Sequence, residues 1–383
     1  MSSVESYPGL LSVHWYVMPR LIDKLDAAVG LVPEFLDHGI DYLVQRPGPS
    51  ALVGEDGTYN AGWYQGFDGA LNVSDSMALD MAFQRWFHLS FDAGRYFVVC
   101  NIADFTRAGN VALLVVDKQT GLFERASDSP LRTKNRITID EHVRVFEDRK
   151  SHSFIRMASE SGVVEFSIHV GDLHFSGAAR QVIGPPFVQV SRFQRGRGCL
   201  QWFGCLSIEH GVLSLPDRVV SLPRGSMGCY DRTVGHQRGI QAWNWLAAAG
   251  EAVDESGVHT QLGVQVAVDR AQARPRVDVQ KSVVWVDGAV VKVPAVSFAY
   301  SIDKAKDYES SDWRIASEDP DAECAMSLSF HPGFHRRETR FLWLVNADFH
   351  QYYGVVEGWV RIRGRTFHLK PMFAVTEESL LEL

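Results

Sequence analysis

Downstream of residue 90 the apolar residues of this chain alternate with a period of two. The stretches "RYFVVCNIADF", "NVALLVVDKQTG", "HVRVFED", "GVVEFSIHVGDLHFSG", "HTQLGVQVAVD", "SVVWVDGAVVKV" and "YYGVVEGWVRIRGRTFHL" are rich in Val, Phe, Tyr, Trp and Ile, and turn residues bound each one. A pleated strand points successive side chains to opposite faces, so this spacing predicts strands. Asp287-Gly288, between two β-branched runs, predicts a tight hairpin, because Gly accepts the positive φ of a type I′ turn. "DKQTG" at 117–121 and "RIRGRTF" at 361–367 read as similar turns. The chain therefore reads as all-β and antiparallel.

So many strands must hide their edges by sandwich packing or by closing into barrels. A barrel of about eight to ten strands uses about 150 residues. A chain of 383 residues therefore predicts two packed barrels, 60–215 and 216–383, divided at the two prolines of "LPDRVVSLPRG". Residues 1–59 form a separate helical and extended segment. Leu21, Ile22, Leu25, Ala28 and Val29 recur at helical spacing, and Gly30 and Pro33 end the helix.

Composition limits the function. The apolar and charged fractions, 46% and 22%, are those of a globular protein, and no run approaches the roughly 20 apolar residues of a membrane span. A net charge of −8 without a basic cluster argues against a nucleic-acid partner. Five widely spaced cysteines fit reduced thiols, and the N-terminus has no basic region ahead of its apolar part, so a cytoplasmic location is expected. "HPGFH" spaces His331 and His335 by four, but Pro332 and Gly333 forbid the helix that would present both to a metal. Neither a Gly-x-Ser-x-Gly elbow nor a Gly-x-Gly-x-x-Gly loop occurs, which disfavours serine hydrolysis and dinucleotide binding. No cofactor is expected.

The chemistry concentrates in "GCYDRTVGHQRGIQAWNWLAAAG", residues 228–250. In strands, Cys229 and Asp231 share a face opposite Tyr230 and Arg232, while Gln241, Trp243 and Trp245 point together. Lining a barrel interior, these residues would make an apolar cavity with one acid, suited to an organic ligand. An Asp walled in by Trp resists ionisation and can donate a proton. Alternatively, Asp231 pairs with Arg232, Arg238 or a backbone amide, and the tryptophans are plain core. Near the C-terminus, Gln351, Tyr353, Glu357 and Trp359 share a face that lines either an interior or the solvent side.

"CYDRTVGHQRGIQAWNWLAAAG" resembles the Asp-x-x-x-Gly and Trp-x-Trp signature of an uncharacterised bacterial family. That family lies within the lipocalin-related superfamily of carotenoid hydratase (hydroxyneurosporene synthase) and AttH proteins. "FQRWFHLSFDAGRYFVVCNIADFTRAGNVALLVVDKQTG" (83–121), "LQWFGCLSIEHG" and "FHQYYGVVEGWVRIRG" resemble further elements of it in the same order. The resemblance spans about residues 80–378 and implies two lipocalin-like barrels. The hydratase pattern is Tyr-Trp-Asp-His-x-Trp-Gly. "CYDRTVG" keeps Asp231 and Gly235 but has Cys229, Arg232 and Val234 at three of its other positions. The resemblance thus implies the acid rather than hydration of a carotenoid.

Two functions follow. One is a cofactor-independent hydratase, isomerase or cyclase acting on an isoprenoid- or lipid-like molecule. Asp231 would be its proton donor and Tyr230, His236 or Tyr353 a helper. Trp202, Trp243 and Trp245 would stabilise a developing cation, with Cys229, Gln241, Gln351 and Glu357 completing the pocket. The other is a non-catalytic carrier or sensor of a lipid-like ligand in the same pocket.

Overall fold

The computed structural model describes residues 51–382 except 55–57, 67–82, 106–107, 130–136, 141–144, 158–161, 193–197, 237–239, 271–280, 307 and 343–344. The helix expected from the periodicity of residues 15–29 lies outside the described residues. Among those described, no helix is long and apolar enough to cross a membrane.

The described chain is almost entirely antiparallel β-structure, in two large sheets. The first runs Leu122–Asp128, Gly109–Asp117, Tyr96–Asp104, Phe83–Ala93, Met227–His236, Gly198–Leu215, Leu173–Arg192, Val163–Val170, Ser153–Met157, Val145–Asp148, Ile137–Asp140. The second runs Ala289–Lys292, Val283–Val286, His259–Asp269, Ile240–Asp254, Arg365–Glu382, Val345–Ile362, Cys324–Leu342, Trp313–Ser317, Val296–Ala299. Each curls round its own core. Strands Gly109–Asp117 and Val163–Val170 touch across the first although five strands separate them along the sheet, and His259–Asp269 and Val296–Ala299 do the same in the second. Phe87, Phe91, Phe146, Phe166 and Tyr230 fill the first core, and Leu246, Val264, Trp313, Phe330 and Val360 the second. The two lipocalin-like barrels expected from the sequence are thus present as two curled, packed sheets.

A third apolar layer lies between the sheets. Phe97, Leu114, Phe203 and Cys205 of the first meet Trp245, Ala247, Trp285, Phe373 and Val375 of the second. Strands at this seam are covered on both faces, which is why Gly109–Asp117 is buried at every residue and is apolar without a break from Val111 to Val116. The Trp285 indole N–H donates across the seam to the Pro185 carbonyl at 2.8 Å. A Cβ on Gly263 would fall 2.1 Å from the Cys205 sulfur. Gly263→Ala is therefore expected to cost about 1–3 kcal/mol through overpacking. Denaturant titration should show the loss, and adding Cys205→Ala should recover most of it.

The sheet boundary lies later than the prolines suggested. Met227–His236 pairs with Phe83–Ala93 and with Gly198–Leu215, inside the first sheet, so the crossing falls between His236 and Ile240. Pro216 and Pro223 instead bracket a short return strand, Arg218–Ser221, which pairs with 212–215. Proline marks a hairpin here, not a linker.

Candidate functional site

Strand parity decides which side chains reach the seam. On Met227–His236, Tyr230 and Val234 enter the first core, whereas Met227 and Cys229 face the second sheet, and Asp231 follows them. On Phe83–Ala93, Phe87, Leu89 and Phe91 point into the first core, leaving Trp86 and His88 on the seam side. From the second sheet, Trp243 and Trp245 arrive on one strand, Gln351 and Tyr353 on another, and Glu377 on a third, two residues beyond Val375. Asp231 and the two tryptophans legible in the sequence thus lie on faces that look onto the seam between the sheets, not into either barrel core.

Two carboxyls anchor the site, one from each sheet. The Trp86 indole N–H donates to Asp231 Oδ2 at 3.0 Å and the Thr233 hydroxyl to Oδ1 at 3.1 Å. Burial pushes the Asp231 carboxyl up to about 6, against the pull of these bonds and the charge of Lys281. The Trp243 indole N–H donates to Glu377 Oε2 at 3.0 Å and the Gln351 amide to Oε1 at 2.6 Å. Burial lifts the Glu377 carboxyl to about 7, and the charge of Asp231 acts in the same direction. Glu377 thus feels the charge of Asp231 across the seam.

Around the pair lies a buried network. Gln351 Oε1 accepts from Arg336 Nη1 at 2.9 Å and from the Tyr353 hydroxyl at 2.7 Å, which fixes the amide so that its Nε2 faces Glu377. Arg336 also pairs with Glu338. Gln201 donates to the Thr233 hydroxyl at 3.3 Å and accepts from Lys281. The His88 and Trp245 rings meet edge-on, 5.2 Å between centroids at 88°. Burial, and behind it the Arg336 charge, lowers His88 to about 3, so its imidazole is neutral. Trp86, Asp231, Trp243 and Phe349 are half-buried, whereas Gln351, Tyr353 and Glu377 are buried.

Not every candidate from the sequence is here. Tyr230 points the other way and packs on Phe87, with ring centroids 5.8 Å apart. His236 lies on that side too, beside Phe83 and within 3.4 Å of the Tyr59 hydroxyl. Trp202 belongs to the first core, under the Arg232 guanidinium at 4.5 Å. Glu357 is about half exposed and sits 3.6 Å from His331; it keeps the parity of Tyr353 but lies beyond Val355, where that face of the strand no longer packs in the seam. Cys229 lies on the seam face and Gln241 is half-buried on the strand of Trp243. Among the described residues no three His, Cys, Asp or Glu are grouped to hold a metal. His331 pairs with Asp312 at the surface, whereas His335 bonds His350 at 3.0 Å.

Sequence reasoning missed Glu377, Trp86, Arg336 and Lys281. A signal existed for Glu377: in "FAVTEESLLEL" it occupies the same parity as Phe373 and Val375, an acid on an apolar face.

The model of a domain of unknown function, DUF2804, matches residues 44–381. Among solved structures the chain is similar to kievitone hydratase from Nectria haematococca, with a TM-score of 0.48 at 12% identity over 90% of this chain and 95% of that one. It is similar to CghA, with a TM-score of 0.48 at 11% identity over 79% and 89%. A provisional AttH from Nitrosomonas europaea gives 0.44 at 10% identity over 78% and 92%. No curated protein matches the sequence.

Proposed function

The chain belongs to the DUF2804 family, and from the chemistry of the seam we propose that it is a cofactor-independent enzyme of hydratase, isomerase or cyclase type. Its substrate is a hydrophobic, isoprenoid- or lipid-like small molecule, and its chemistry is proton transfer. One observation carries the reading: Asp231 and Glu377 face one seam, each tied to a tryptophan N–H, with carboxyls lifted to about 6 and about 7. Midway between those values, near pH 6.5, such a pair holds about one proton. It therefore offers an acid and a conjugate base together, at the pH where general acid–base catalysis works best. Asp231, the more exposed of the two, is the proton donor. Glu377 is the second carboxyl of the pair, and Gln351 and Tyr353 are positioning residues that orient it. Trp86, Trp243 and Trp245 supply π faces for a cation that forms when an alkene is protonated.

The test is deuterium uptake. Short isoprenoid alkenes are incubated with the protein in D2O, and substrate and product are read by mass spectrometry. Incorporation by the wild type should fall by about 10²–10⁴ in Asp231→Asn. Equal incorporation in both proteins would refute the assignment of Asp231. Tight binding of the alkenes with no incorporation would leave a carrier instead.

A further inference from the structure

Two neighbouring side chains at the acid pair each have a nitrogen with no hydrogen-bond partner among the described residues: His88 Nε2 and Trp245 Nε1. Both residues are more than nine-tenths buried, at 7% and 4% exposure, and their rings touch. Unpaired polar atoms are costly inside a protein, and two on touching rings offer a place for a group that completes them. Trp245 Nε1 can only donate. A neutral imidazole has one accepting nitrogen, and with the proton on Nδ1 that acceptor is Nε2. In that tautomer, a single oxygen that satisfies both accepts from the indole and donates to the imidazole, as a hydroxyl does. A carbonyl can only accept, and a hydrocarbon does neither.

The strand registers place this nitrogen pair between the acids. His88 lies directly opposite Asp231, and Trp245 directly opposite Glu377. Side chains so paired stand about 5 Å apart at Cβ. The chain of neighbours across the seam is therefore Asp231, His88, Trp245, Glu377.

We propose that His88 and Trp245 form a hydroxyl-binding subsite, which holds either the water that adds to the substrate or a hydroxyl carried by the substrate itself. The inference rests on the seam being the reaction site. With water held there, the protonated member of the acid pair gives its proton to one alkene carbon, and the π electrons become the new C–H bond. The water oxygen forms a C–O bond to the other carbon, and the carboxylate of the pair takes the proton that water loses. Alkene and water give an alcohol, and the pair ends with the proton count it began with.

Three probes of one shape separate the cases: 3-methylbut-2-en-1-ol, its methyl ether, and 2-methylbut-2-ene. Affinity and the Trp245 indole ¹H–¹⁵N signal are followed by NMR. A subsite for a substrate hydroxyl gives the alcohol at least tenfold tighter binding than the ether and moves the indole proton downfield. In that case His88→Phe removes the preference and His88→Gln, which keeps an acceptor, retains it. A subsite for water gives equal binding of the three, with a long-lived water contact to the Trp245 indole proton that His88→Phe abolishes. The inference is overturned if the wild-type indole signal ignores all three probes and shows no held water, or if His88→Phe changes neither. Because these readouts need no turnover, they stand apart from the deuterium test: Asp231→Asn should keep the Trp245 response even if that variant proves fully active.

Discussion

Asp231→Asn is expected to make the protein more stable at pH 8 while removing its chemistry. The carboxyl titrates near 6 in the fold, against an ordinary value of 3.8. A raised carboxyl binds its proton more tightly folded than unfolded, so stability is greatest below the unfolded value and is lost as pH rises from about 4 to about 6. Two units correspond to on the order of 2–3 kcal/mol. Asparagine cannot ionise, so it escapes this loss. It also keeps both contacts: its oxygen accepts from Trp86, and its amide donates to the Thr233 hydroxyl, whose oxygen has a second lone pair beside the one that accepts from Gln201. Denaturation curves of wild type and variant should nearly coincide at pH 4 and diverge until about pH 7, with the variant ahead. A variant that is weaker at pH 8 would mean the ionised carboxylate has a partner that repays its burial.

Glu377→Gln should not repeat that gain. The Glu377 window runs from 4.5 to about 7, with the same sign. Its Oε1, however, accepts from the Gln351 amide nitrogen, while Oε2 accepts from an indole that can only donate. A glutamine that keeps the indole bond turns its own NH2 toward another NH2, and Gln351 cannot rotate to relieve the clash without abandoning Arg336 and Tyr353. The stability of this variant at pH 8 should therefore fall clearly below that of Asp231→Asn.

The local code of this fold lies in plain view along the chain. Asp287 and Gly288 take φ of 51° and 79°, and Arg363 and Gly364 take 51° and 79°, as the Asp-Gly and Arg-Gly pairs between β-rich runs predicted. Parity placed Asp231 with Cys229, and Trp243 with Trp245, correctly. It could not say what lay beyond that face, because strands at the seam are buried on both sides and a polar face toward a second sheet reads like one lining a barrel. Tyr230 and His236 are neighbours of the acid in sequence only: strand parity already sets Tyr230 opposite Asp231, and His236 shares the parity of Tyr230. Glu357 failed for a different reason: parity gives the face a residue takes, but not how far along the strand the opposite sheet covers that face. The second acid was hidden by distance along the chain, for only the pairing of Arg365–Glu382 with Ile240–Asp254 brings Glu377 beside Trp243 and Trp245.

Arg336→Met should unfold the protein at markedly lower denaturant, with a loss of about 3–5 kcal/mol. The guanidinium is buried, donates to Gln351 Oε1 at 2.9 Å and pairs with Glu338. Methionine fills much of the same space but leaves Glu338 without its counter-charge and the Gln351 oxygen with one donor instead of two. Two shifts follow from removing the positive charge: Glu377 should titrate still higher, and His88 should rise from about 3 because the repulsion on its protonated form is gone. The steepest fall of stability with pH should therefore move to higher pH in Arg336→Met, which carboxyl and imidazole NMR titrations can read directly. Adding Glu338→Met should recover part of the midpoint, since it removes the stranded charge, but should not return Glu377 to about 7. If the single variant matched the wild type in both midpoint and titration, Arg336 would be a bystander to the acid pair, and the order of the seam would have to come from the two tryptophan N–H bonds alone.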